Sequence, residues 1–193
     1  KRPGAPDRPH ELQVVPIHGH LFICANSVTE SLGWIGIPEQ LMLGRRNFRK
    51  PPMKVLIVLA HPEAKSFNAQ MAETARAAFE HRGHTVEIDD LYGQDFDPRE
   101  SPTHFPSPRS MDYFSAMVEQ RHASDTGTLP ADVAREIARL EAADLVMFQF
   151  PLWWFSMPAM LKGWLDRVFV WGRIYSSRRR YDTGHFAGKR AFV

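Results

Sequence analysis

The sequence has 193 residues, 44% of them apolar, with 24 Lys+Arg, 22 Asp+Glu, a single cysteine and a formal charge of +2. These values fit one folded domain, with or without an appendage, and exclude a wholly disordered chain, a disulfide scaffold and a strongly basic nucleic-acid binder. No run of eighteen apolar residues occurs, so no membrane-spanning helix is expected.

The charge is unevenly placed. Residues 1–52 carry seven basic and four acidic residues and seven of the fifteen prolines, whereas residues 53–193 carry seventeen basic and eighteen acidic residues. The first segment reads as loops around short apolar patches at 21–25 and 32–37. It lacks the leading basic stretch and cleavage pattern of an export signal. His18, His20 and Cys24 are too few for a structural zinc site, so no metal is expected. Met53 directly precedes a strong strand signal and is taken as the start of the functional domain. Residues 1–52 are then an atypical or poorly ordered extension without chemistry.

From Met53 onward two periodicities alternate. Lys54–Leu59 (KVLIVL) is a continuous β-branched run, as in a strand buried on both faces. Residues 68–82 place Met71, Ala75, Ala78 and Phe79 at helical spacing, with Gly83 as a C-terminal stop. A shorter strand is expected at 85–89, then mainly loop over 92–127 with a helical turn near 111–119. Residues 129–142 read as a helix with Pro130 in its first turn and Val133, Ile137 and Leu140 on one face. LVMFQF at 145–150 is a third strand. Residues 158–169 form a helix striped by Leu161, Trp164, Leu165 and Val168, and 190–193 begin a fourth strand. The alternation predicts an α/β fold with helices on both faces of an open parallel sheet.

The usual ligand fingerprints are absent: no G-x-G-x-x-G follows the first strand, no Walker A motif is present, and no G-x-S-x-G elbow occurs. His81 and His84, straddling a helix end, read as solvated. Two loops remain. Residues 61–68 (HPEAKSFN) follow strand one and open a helix, whose free N–H groups suit a phosphate. Ser66, Asn68 and His61 could add contacts, although plain capping by Ser66 or Asn68 explains the pattern equally. Residues 151–157 (PLWWFSM) follow strand three with aromatic rings on which a planar ligand could stack. Core packing of Trp153 stands level with ligand contact. In a sheet ordered 2-1-3-4-5, strands one and three flank the switch point where ligands bind. The two loops would then meet around one phosphorylated planar cofactor, for which a flavin nucleotide is one solution and another nucleotide remains open.

LIVLAHPEAKSFN, LEAADLVMFQFPLWWFSMPAMLKGWLDRVF and YDTGHFAGKRA, in that order, resemble the NAD(P)H:quinone oxidoreductase (DT-diaphorase-like) family over residues 53–193. The resemblance implies a flavodoxin-like fold. It also implies a dimeric cytosolic (cytoplasmic) flavoenzyme, while the apolar-run lengths and near-neutral charge argue for no membrane insertion and no nucleic-acid partner. Such an enzyme carries hydride from NAD(P)H through FAD, or alternatively FMN, to a quinone or similar acceptor. It assigns cofactor contacts to His61, Ser66, Phe67, Asn68, Pro151, Leu152, Trp153, Trp154 and Phe155. It assigns substrate contacts to Trp154 and Phe155, and to Tyr175 across a dimer interface. Trp153 replaces the glutamine of human-type members and Ser177 a second pocket tyrosine, so acceptor preference does not transfer. The run Arg178, Arg179, Arg180 reads as a solvated loop, with selection of an anionic substrate or the NADPH phosphate as the sharper reading. In the family a Thr-Thr-Gly-Gly flavin loop, a tyrosine and a histidine follow the position of Val193. No catalytic residue is therefore assigned, and the chain reads as a member cut short that would hold flavin weakly or not at all and be inactive by itself. A regulatory subunit of a potassium-efflux system and a flavodoxin-type electron carrier are the other readings. The near-neutral charge of 53–193 argues against the carrier.

Overall fold

The computed structural model describes residues 51–193. The expectations for residues 1–50, including those for His18, His20 and Cys24, lie outside them. Four parallel strands form the sheet: β1 (Lys54–Leu59), β2 (Thr85–Asp90), β3 (Leu145–Gln149) and β4 (Arg190–Phe192), in the order β2-β1-β3-β4. Val55 stands opposite Leu145 and Leu59 opposite Gln149, so the two central strands end level with each other.

Alternate residues of β1 serve opposite layers, as the pleat requires. Val55, Ile57 and Leu59 pack with Ala69 and Ala72 of helix α1 (Phe67–His81). Leu56 and Val58 face α3 (Ala131–Ala142) and α4 (Ala159–Val168), where Ile137, Leu140, Leu161 and Trp164 complete the core. Each fully buried aliphatic side chain contributes about 1.5–3 kcal/mol relative to an exposed one. The expected α3 stripe is buried as read, and on α4 Leu161, Trp164 and Val168 are buried while Leu165 is half-buried. On α1 the buried face is Ala69 and Ala72, with Ala75 and Phe79 half-buried, whereas Met71 and Ala78 are exposed. Two stripes overlap at helical spacing there, and the smaller residues take the sheet because they let the helix approach.

Residues 92–127 depart most from expectation. They contain a 3-10 turn, Pro102–His104, and an eleven-residue helix, α2 (Ala116–Thr126), that begins five residues later than the expected turn. Its buried residues are Glu119, Gln120 and Ala123, so polar side chains occupy the inward face and hydrophobic periodicity misses it. Glu119 accepts from the Arg109 N–H (2.7 Å) and the Ser110 N–H (3.3 Å). Gln120 donates to Glu100 (2.6 Å) and to the Asp166 carbonyl (2.9 Å). Arg167 of α4, 2% exposed, donates to the Asp97 carbonyl and to Asp132 Oδ2, both at 2.7 Å. Gly163 makes room for this segment, because a Cβ there would overlap the Pro98 carbonyl oxygen. His84 corrects a reading: it is half-buried, its Nδ1 accepts from the Met53 N–H (3.2 Å), and its ring lies 6.0 Å from that of Phe79. His81 is exposed, as expected.

Among the described residues no helix is long and apolar enough to cross a membrane.

Candidate functional site

The β1–α1 loop is ordered by its own polar groups. Ser66 is the N-cap of α1 and accepts from the Ala69 N–H (3.1 Å). The N–H groups of Phe67 and Asn68 find no acceptor among the described residues, so they remain available to an anion at the helix end. The Glu63 N–H donates to His61 Nδ1 (3.0 Å). With Nδ1 used as an acceptor, neutral His61 carries its proton on Nε2 and presents that N–H as a donor. Phe67 is exposed and Asn68 half-buried.

The β3–α4 loop makes a tight turn. The Trp153 N–H donates to the Ser156 carbonyl (2.9 Å) and the Ser156 N–H to the Trp153 carbonyl (3.1 Å). The two central residues both have positive φ, Trp154 at 51° and Phe155 at 60°. That is the backbone of a hairpin turn usually built from Asn and Gly. Bulky aromatics in the left-handed region cost about 1–3 kcal/mol each. Despite that cost the two rings are 94% and 97% exposed. Leu152 is exposed, Pro151 half-buried and Trp153 only partly covered, its ring 6.0 Å from that of His61. Trp153 is thus a side-on contact between the two loops and is not a core residue.

Gln149 joins the loops from below. This residue, 8% exposed, donates from Nε2 to Asn68 Oδ1 (2.7 Å), and its carbonyl accepts from the Ala60 N–H (3.0 Å). The sequence reading missed it. The available signal was a polar side chain inside the otherwise apolar run LVMFQF.

The structure therefore brings His61, Ser66, Phe67, Asn68, Pro151, Leu152, Trp153, Trp154 and Phe155 together at the carboxyl ends of β1 and β3. Tyr175 stands apart. It lines a cavity of about 620 Å³ with Arg180 and Lys189, before the amino end of β4 and thus at the opposite end of the sheet. Within one chain it does not join the aromatic turn.

A family profile described as a flavodoxin-like fold matches residues 53–193. The chain belongs to the flavodoxin-like fold family. Members of known name include the mouse ribosyldihydronicotinamide dehydrogenase [quinone], 42% identical over 141 residues, covering 72% of this chain and 61% of that protein. The rat NAD(P)H dehydrogenase [quinone] 1 is 43% identical over 141 residues, covering 72% and 52%. Among solved structures, the putative quinone reductase from Klebsiella pneumoniae superposes with TM-score 0.65 at 38% identity, covering 72% of this chain and 57% of that one. The chain spans about half to three-fifths of the length of these relatives. The family resemblance read from the three sequence blocks is borne out.

The residues present fit a flavin. Two free N–H groups and the Ser66 cap suit its phosphate, His61 Nε2 offers a further donor, and exposed indole and phenyl rings border the rim where its ring system would lie.

Proposed function

We propose that residues 53–193 form the flavin-binding part of an NAD(P)H:quinone oxidoreductase that works as a homodimer. The observation that carries this reading is the pair of loops at the switch point, tied by the 2.7 Å Gln149–Asn68 bond: one loop is built for a phosphate and the other for a planar ring. FAD is the favoured cofactor, with FMN as the alternative. When bound, the flavin supplies the two-electron chemistry, which no thiol in residues 53–193 offers.

The chain's own part is binding and exclusion. The α1 terminus and His61 hold the phosphate end. The turn at 153–156 presents the N–H groups of Trp154 and Phe155, which find no acceptor among the described residues, toward the ring edge. The rings of Trp154 and Phe155 would keep water from the face on which nicotinamide and quinone alternate. Tyr175, at the far end of its own chain, can act on this site only from a partner subunit, as the family resemblance implies. No observation on the described residues favours the transporter-subunit or carrier readings.

The test uses the full-length gene product. It should purify yellow and oxidise NADPH in a quinone-dependent manner. His61→Ala and Trp154→Ala should each lower flavin occupancy while leaving the circular dichroism unchanged. A colourless protein that takes up neither FAD nor FMN refutes the proposal, and unchanged occupancy in both variants refutes the site assignment.

A further inference from the structure

Residues 171–189 lead from α4 to β4 and carry Tyr175. Two short turns fold the first part of this segment. The Gly172 N–H donates to the Tyr175 carbonyl (2.8 Å), and Ser176 and Arg179 each donate an N–H to the other's carbonyl (3.1 and 3.3 Å). Tyr175 stands between the two turns, and residues 177–180 after it are exposed, so side-chain ties decide where this loop lies.

Arg179 makes the tie. Its Nη1 donates to the Arg173 carbonyl (2.9 Å) and faces Nδ1 of half-buried His185 (3.4 Å). The other ring nitrogen, Nε2, meets Glu141 Oε1 at the end of α3 (3.0 Å). A guanidinium only donates and a carboxylate only accepts. These two partners therefore select the neutral imidazole, with its proton on Nε2 and Nδ1 as an acceptor. The other charges around the ring are Arg173, which shares Glu141 (3.2 Å), and Lys189, whose Nζ donates to the carbonyls of Glu141 and Ala143. Arg180 and Asp182 line the same cavity as His185.

We propose that His185 is an acid-sensitive latch on the loop that carries Tyr175. Neutral His185 holds Arg179. Taking up one proton from solvent puts a second N–H on Nδ1, opposite the Arg179 donor, so that hydrogen bond is lost and two like charges face each other. The bond to Glu141 becomes charge-assisted and tightens. Acid therefore frees the turns at 172–179 and leaves residues 184–189 anchored to α3. Imidazole changes charge between about pH 5 and 8, so the latch is reversible under mild conditions. The consequence for activity rests on the reading of Tyr175 as an acceptor contact across the dimer: acid loosens the acceptor site and spares the loops at the carboxyl ends of β1 and β3.

The test is amide exchange on the full-length gene product as purified, at about pH 5.5 and 7.5 with the intrinsic rates divided out. The Ser176 and Arg179 amides should lose protection roughly fivefold in acid, the worth of one hydrogen bond, while the Ala187 and Lys189 amides keep theirs. His185→Gln provides an amide that donates to Glu141, accepts from Arg179 and does not titrate, so its protection should stay constant. Arg179→Ala, at an exposed position, should show the acid-like exchange at both pH values. The latch is refuted if the parent shows no change, if His185→Gln keeps the parent's pH dependence, or if both stretches loosen together as in general acid unfolding. In steady-state assays the KM for quinone should rise in acid in the parent and less in His185→Gln. Equal KM profiles refute the link to the acceptor site. A protein without quinone-reductase activity refutes the proposed function, and the exchange measurement still decides the latch.

Discussion

Gln149 Nε2 and Asn68 Oδ1 are 2.7 Å apart although 81 positions separate them, and this bond fixes the end of β3 against the start of α1. The register that sets Leu59 opposite Gln149 brings the two residues within reach.

Gln149→Leu should keep the volume of the side chain while leaving the half-buried Asn68 amide without its partner. A loss of about 1–2 kcal/mol in urea unfolding is expected, the cost of one orphaned polar group. Flavin occupancy of the full-length gene product should fall as well. A variant with unchanged stability and occupancy would show that the bond positions nothing.

Strain in the aromatic turn leads to an opposite pair of effects. Phe155→Gly relieves a left-handed phenylalanine at φ 60° and removes a ring that is already in solvent. Thermal unfolding should then report a gain of up to ~1 kcal/mol, because glycine adopts positive φ freely. Flavin affinity should drop in the same variant. Loss of stability would argue that the turn is not strained.

Burial, reinforced by the neighbouring Glu136 carboxylate, pushes the Asp89 carboxyl up to about 8. In the fold Asp89 therefore keeps its proton to higher pH than a free carboxyl, with the Glu136 carboxylate beside it. Asp89 Oδ1 accepts from Gln94 Nε2 (2.9 Å) and Arg139 Nη1 (2.8 Å), whereas Oδ2 is buried without a hydrogen-bond partner among the described residues. Unfolded, the group ionises near 4, so between about pH 4 and 8 the unfolded chain binds fewer protons and stability falls as pH rises, by at most ~1.4 kcal/mol per pH unit. Asp89→Asn retains a donor and cannot ionise. Its stability should vary less between pH 5 and 8 and should exceed that of the parent at pH 8.5. Parallel pH profiles for the two proteins would contradict the assignment.

Gly163→Ala adds a methyl group where the Pro98 carbonyl sits. Backbone cannot yield as a flexible side chain does, so a loss of about 1–3 kcal/mol is expected from denaturant curves. Protease sensitivity should rise within 92–110, the segment displaced from α4.

Apolar patterning made the sheet and three helices legible, because KVLIVL, LVMFQF and the α3 stripe report burial directly. It failed at α2, where the inward face is Glu119 and Gln120 and the partners are backbone N–H groups, a carboxylate and a carbonyl. Arg167 was missed for the same reason, since a guanidinium satisfied by Asp132 and a carbonyl reads as surface charge in one dimension. The two site loops were legible from strand ends and residue type. Their junction through Gln149 was not, because register decides which polar residue meets which loop. The left-handed aromatics at 154 and 155 had no sequence signal, since the turn residues that normally announce such geometry are absent.

The sheet separates two unlike interiors. Its α1 side is held by Val55, Ile57, Leu59, Ala69, Ala72 and Leu145, all apolar, whereas the ionisable Asp89, Glu136 and Arg167 lie on the α3–α4 side. Stabilising salts that strengthen apolar burial act on both layers. Alkali acts on one. Amide exchange followed at rising pH, with the intrinsic rates divided out, should therefore loosen α3 and the Trp164 side of the sheet while α1 keeps its protection. The molecule would open as a hinged book, with its aromatic turn carried on the loosening cover.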